Sequence, residues 1–256
     1  MSKIIAIYKR EMKYYFQSVA AYASISVFLA ISGYFFSSIF KYYNFLSLEM
    51  RRSADVSSRL NIIDGITRPL LGNISILILF TVPILTMRLL SEEKKQGTFE
   101  LLMTYPVSES SVIAGKFLSA LTIFAVMIFG TLLYPLLLII YAEPEIMPIF
   151  SGYLGLFLVG ATFISMGLFF SSLSENQLVS GILTLGTALF FLLIGWLAPI
   201  LGPDLYHSIS QLSILFHFEP FAKGIIDTKD ISYYVLLTSL FLFMSKKSLD
   251  STRYKT

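Results

Sequence analysis

The chain contains no cysteine, only two histidines, a single tryptophan, and charged side chains at just 14% of its 256 residues. The missing cysteines exclude disulfides, thiol catalysis and thiolate metal sites. The scarcity of charge is more restrictive. A soluble domain averages roughly 25% charged residues. Here 55% are hydrophobic and the mean hydropathy is +0.75. A packed sphere of this size cannot hide that much apolar side chain and still present a polar surface. The surplus faces lipid, which excludes a disordered chain, a secreted disulfide scaffold and a soluble enzyme. A phosphate-binding P-loop is also lacking. The only Gly-Lys pair, Gly115-Lys116, is followed by Phe117, and no glycine stands five residues before it. No apolar run holds an ionisable residue at mid-depth, where gradient-driven antiporters keep buried carboxylates.

What is present is a series of long uncharged stretches. A bilayer core of ~30 Å needs ~20 apolar helical residues, and a mid-bilayer charge costs roughly 2.5–3.5 kcal/mol on insertion scales. Gaps between charges therefore mark spans. They predict an all-α membrane protein with six transmembrane helices, at about 20–40, 70–87, 117–141, 149–170, 178–200 and 231–245. The last gap is the shortest, and it spans only if Lys246 and Lys247 snorkel. The only Ala-x-Ala, Ala21-Tyr22-Ala23, precedes most of the first apolar run. That is the wrong order for a cleaved signal, so span one is expected to be retained.

Orientation follows from Lys and Arg. Twelve of the 19 fall on the side that holds both termini and the connections after spans two and four, which places that side in the cytoplasm. The loop after span one dissents, with Lys41, Arg51, Arg52, Arg59 and Arg68. Residues 1–19 are too polar to span. Ile4, Tyr8, Met12, Tyr15 and Val19 fall on one helical face, with Lys9, Arg10 and Lys13 elsewhere around the helix. This predicts a basic amphipathic helix on the membrane surface.

The cytoplasmic connection 88–116 carries the richest pattern. Charges dominate to Lys95, Gly97 permits a break, and Thr98 can cap a short helix with Glu100 in its first turn. Phe99, Leu101, Leu102 and Tyr105 give that helix an apolar side, and Pro106 ends it. Ser108, Ser110 or Ser111 can cap the next helix. A short amphipathic helix held between two spans suits docking of another protein.

On the other side, a small helix is expected around 46–63, and 201–230 holds an apolar segment against the membrane. His207 and His217, with Glu219 nearby, are read as capped loop histidines rather than a metal site. Pro83 and Pro135 should kink spans two and three, freeing carbonyls that neighbours must cover. Small residues on span four (Gly155, Gly160, Ala161, Ser165, Gly167) and span five (Ser180, Gly181, Thr184, Gly186, Thr187, Ala188) permit close helix approach, whether as a path, a dimer seam or ordinary packing.

Ser91-Glu-Glu-Lys-Lys-Gln-Gly-Thr-Phe-Glu-Leu-Leu102, then Pro106-Val-Ser and Gly115-Lys116, resembles the permease subunits of type-2 ABC exporters. The segment from His217 to Asp227, with Asp230 and Tyr233-Tyr234, resembles the gliding-motility-associated subgroup. The resemblance implies one transmembrane domain over 1–256 in a bacterial inner membrane, with both termini cytoplasmic. It implies pairing with a second permease, as homodimer or heterodimer, and binding of two ABC ATPase subunits, with no nucleic acid. ATP and Mg would reside on the ATPase, with no cofactor and no enzymatic activity in this chain. The helix near Thr98–Tyr105 would be the coupling helix, with Glu92, Glu93, Gly97, Thr98, Glu100, Leu101, Leu102 and Pro106 as coupling residues. The span pattern alone also fits an ATP-independent carrier or channel, or a membrane scaffold for a cell-envelope machine.

Overall fold

The computed structural model describes residues 3–52, 61–98, 108–142, 144–197 and 209–253. They are helical throughout, with no strand among the described residues. In chain order the helices are α1 (Lys3–Gln17), α2 (Val19–Arg52), a π-helical turn (Ile63–Thr67) leading into α3 (Arg68–Thr86), and α4 (Ser91–Lys95). There follow α5 (Glu109–Thr131), α6 (Leu133–Ala142), α7 (Ile146–Leu173), α8 (Gln177–Leu197), α9 (Ile214–Ala222) and α10 (Thr228–Arg253).

Five stretches are long and apolar enough to cross a membrane: Val19–Met50, Ile63–Lys95, Glu109–Tyr141, Ile146–Leu173 and Gln177–Gly195. They coincide with the first five expected spans. The sixth expectation, 231–245, falls inside α10, whose uncharged run between Asp230 and Lys246 is short. The first span continues unbroken to Arg52, so the part of the expected 46–63 helix that is described, as far as Arg52, is the C-terminal end of α2. Lys41 looked like a boundary, but the helix runs on through it.

α7 is the centre of the bundle. It packs against α3, α5, α8, α9 and α10, and 72% of its apolar window is buried against 17% for α2. Its glycines at 152, 160 and 167 lie directly against Leu71, Phe124 and Thr86. On span four the small residues therefore serve packing within the bundle. On α8, in contrast, Gly186 faces open space beside exposed Val179, Leu183 and Phe190.

The third span breaks at Leu132, between α5 and α6. Pro135 has no N–H to give the Thr131 carbonyl. The Tyr153 hydroxyl of α7 donates to that carbonyl instead, at 2.9 Å, so the freed acceptor is covered by a neighbour as expected. α7 also defines the two ends of the molecule. Its last turn meets α4, and its first turn meets α9. We call these the near end, which also carries α1, and the far end.

Candidate functional site

The near end gathers α1, α4 and the head of α5 around one buried ammonium. α1 lies along α5 because Gly115 leaves a seat. A Cβ there would come 2.7 Å from Ile7 Cγ2 and 3.2 Å from the Ile4 carbonyl. Ile7, Glu11 and Tyr15 form the buried face of α1, one or two turns apart. That face is rotated from the expected one. Ile4, Tyr8 and Met12 are only partly buried, and Val19 is exposed. The reason is Glu11, which hydropathy periodicity scores as polar but which turns inward to meet Lys116.

Lys116 is 1% exposed. Its Nζ donates to Glu11 Oε1 at 3.0 Å and to the Leu89 carbonyl at 2.6 Å, and it lies 3.1 Å from Glu93 Oε2. The last contact is ionic; Glu93 Oε2 has no hydrogen bond. Arg10 bridges the two carboxylates, donating to the same Glu11 Oε1 at 2.7 Å and to Glu93 Oε1 at 2.5 Å. Two cations and two carboxylates thus cancel. The ammonium makes two hydrogen bonds and one ionic contact, all to oxygen, which is how a lysine is held away from water. Burial raises the Glu11 carboxyl's proton affinity, but Lys116 and Arg10 outweigh it and hold that carboxyl below its ordinary value.

A second ring of contacts surrounds this cluster. Tyr14 donates to Glu92 Oε2 at 2.9 Å, and burial together with that bond raises the Tyr14 hydroxyl's pKa. Arg88 donates to Ser18 Oγ at 2.9 Å in the α1–α2 joint, with its guanidinium over the rings of Tyr14 and Tyr15. Tyr15 donates to the Leu85 carbonyl at 3.1 Å. Across the molecule, Ser171 Oγ of α7 accepts from the backbone N–H groups of Leu90 and Ser91, at 2.9 and 3.1 Å. Lys94 Nζ donates to the Ser172 carbonyl at 2.5 Å, and Ser248 of α10 donates to the same oxygen at 3.3 Å.

α4 ends at Gly97, whose φ of 68° is the left-handed conformation that terminates helices. Thr98 Oγ1 donates back to the Glu93 carbonyl at 3.3 Å. Ser108 is the residue that caps α5, accepting from Ser111 N. Beside α4, Lys95, Glu175, Asn176, Gln177 and Leu178 line an open polar cavity of about 450 Å³.

The structure therefore brings Glu92, Glu93, Gly97 and Thr98 together at the near end. Glu100, Leu101, Leu102 and Pro106, with the helix expected around them, lie outside the described residues. Of the three basic residues expected at the membrane surface, Lys9 and Lys13 are exposed on the same side of α1 as Ile5 and Phe16. Arg10 is turned to the carboxylates. Sequence reasoning missed Lys116 and Glu11 as site residues. A signal existed, because Glu11 is the only acidic residue before Glu49.

Chemically the cluster has no nucleophile or acid–base pair open to a substrate, and the described residues hold no group of acids and histidines arranged for a metal. Its arrangement joins several helices: α4 touches α1, α5, α7 and, through Ser172, α10. The family described as ABC-2 family transporter protein matches residues 5–222. No curated protein matches the chain.

Proposed function

The chain belongs to the ABC-2 family of transporter proteins and is a multi-pass membrane permease subunit; from that premise we propose that an ATPase partner drives it as an exporter through the 88–116 connection. One observation supports this above others. The Glu93–Lys116–Glu11 linkage ties the short helix after the second span both to the head of the third span and to the N-terminal helix. A push on residues 91–98 cannot stay local. It reaches α5 through Lys116, α1 and α2 through Arg10 and Arg88, and α7 through Ser171.

In this reading two permease copies, or this chain and a related one, place twelve spans over two ATPase subunits, with α10 as the sixth span of each. The near end faces the cytoplasm of a bacterial cell, with both termini there, and the polar cavity at Lys95 and Glu175 lies on the face the ATPase meets. Segment 98–106 serves as the coupling helix. Hydrolysis belongs to the partner, which holds ATP and Mg. A carrier that works without ATP has no observation in its favour here: α7 and α8 carry no Asp, Glu, Lys, Arg or His along their lengths.

The test is co-purification with the ATPase and ATP-dependent transport in proteoliposomes. Leu101→Arg should abolish ATPase association. Glu93→Gln, which keeps the side chain's size and removes its charge, should uncouple hydrolysis from transport. Association and transport surviving both changes would overturn the coupling role.

A further inference from the structure

At the far end α9 is wedged among α3, α7, α8 and α10. Its seat on α7 is tight: a Cβ on Gly155 would lie 2.8 Å from Phe221 Cβ, and Ser151 Oγ donates to the Phe221 carbonyl at 2.7 Å. Ser213 caps the helix, accepting from Phe216 N. α10 fastens it from the other side. Tyr233 donates to the Leu212 carbonyl at 2.7 Å, and Tyr234 donates to the Ile214 carbonyl at 2.8 Å.

Within this wedge lies a buried ionisable pair. His217 is 2% exposed and Asp230 is 5% exposed. Nδ1 of the ring is 2.6 Å from Asp230 Oδ1, and Nε2 is 3.0 Å from the Gln211 carbonyl oxygen. The Tyr233 ring stacks on the imidazole at 4.0 Å.

Both nitrogens thus face oxygens. A carbonyl oxygen only accepts, and an ionised carboxylate only accepts. A neutral imidazole has one N–H and cannot satisfy both. The two bonds require one further proton on the pair. It sits on the ring, giving an imidazolium beside a carboxylate, or on the carboxyl, which then donates to Nδ1. Either way the pair is electrically neutral. Removing that proton leaves one bond unmade and a net negative charge in an apolar wedge, which is costly to bury.

Nothing nearby among the described residues offsets that charge. Glu219 and Lys223, on or next to α9, are exposed and pair with each other. Asp227 and Lys229, at the start of α10, are exposed. α7 and α8 carry no charged residue, and Arg68 at the head of α3 pairs with Asp64. Tyr153 of α7 is engaged with the Thr131 carbonyl, and Tyr234 with Ile214. Asp204 and His207 lie outside the described residues.

We propose that the His217–Asp230 pair is a proton-held latch. With one proton on the pair, α9 is fastened to α10; loss of that proton to the far-end solution releases α9. The device rests on the far-end geometry alone and stands or falls apart from the coupling role of the near end.

The experiment uses the full chain in lipid nanodiscs. Amide hydrogen exchange is measured across 214–222 at one acidic and one alkaline pH value, and corrected for the intrinsic pH effect. Protection of these amides should fall about tenfold on the alkaline side, the scale of one lost charge-assisted hydrogen bond. His217→Gln has no proton to lose in this range and should abolish the difference. Unchanged protection in the unmodified chain overturns the latch, and so does a pH difference that persists in His217→Gln. If that variant does not fold, His207→Gln leaves a single histidine for ¹⁵N-imidazole spectroscopy. A His217 titration coinciding with the loss of protection supports the latch, and one that does not coincide overturns it.

Discussion

The two ends of this bundle each bury charge, and they do it differently. At the near end four charged side chains, Arg10, Glu11, Glu93 and Lys116, neutralise one another. At the far end a single pair, His217 and Asp230, is neutral only while it keeps one proton. Lysine, arginine and a carboxylate held below its ordinary value keep their charges across the physiological range, so the near end is a permanent joint. The far end is a conditional one. A helix that must transmit force needs the first kind, and a helix that must sometimes let go needs the second.

The largest effect should come from removing the ammonium at the centre of the joint. Lys116→Met leaves Glu11 and Glu93 with Arg10 alone, at a cost on the order of 3 kcal/mol. Hydrogen exchange should show α1 loosened while α9 keeps its protection. If α9 loosens equally, the two ends are not independent. Next comes the seat of α1. Gly115→Val forces Ile7 and the Ile4 carbonyl away, costing about 2 kcal/mol by overpacking. Thermal unfolding should register it, and crosslinking between α1 and α5 should fall.

Acid separates the ends by sign. The Glu11 carboxyl is held below its ordinary value in the folded chain. The stability it contributes is complete above that ordinary value and is lost as pH falls through the lower, folded-state one. Acidification into the carboxylate range should therefore weaken protection of α1, whereas at the far end it is alkali that weakens protection of α9. The smallest effect is local. Tyr234→Phe removes one buried hydrogen bond to Ile214 and should cost about 1 kcal/mol, lowering α9 protection equally at both pH values.

Much of this was legible in the sequence. Charge gaps located five spans because charge is expensive in lipid wherever it falls, and no tertiary contact alters that cost. Pro135 announced an uncovered carbonyl, although only the fold could name Tyr153 as its cover. Glu92, Glu93, Gly97 and Thr98 were singled out through a family resemblance, and they lie on or just after α4. What stayed hidden depended on partners distant in sequence. Glu11 and Lys116 are 105 positions apart, and each alone reads as a solvated charge. The buried face of α1 was misjudged for the same reason: periodicity ranks residues by their affinity for water and cannot see an ion waiting on another helix. His217 was read as a capped loop histidine, but it lies on α9, buried, with its two ring nitrogens against Asp230 and the Gln211 carbonyl.

One feature of the first span extends these contrasts. α2 holds 34 residues, so it is about 51 Å long, well beyond a hydrocarbon core of ~30 Å. It is pinned at its origin, where Arg88 grips Ser18, and is mostly unburied along its apolar window. Along its length it rests on α3, the π-helical turn and α5, with Ser32 and the Leu29 carbonyl hydrogen-bonded to Tyr134, so a tilt of the rod carries those neighbours with it. A tilt of about 5° at the pinned joint carries its far tip roughly 4 Å. Motion too small to disturb the ionic cluster would thus arrive at the opposite side of the membrane as a displacement the size of a side chain.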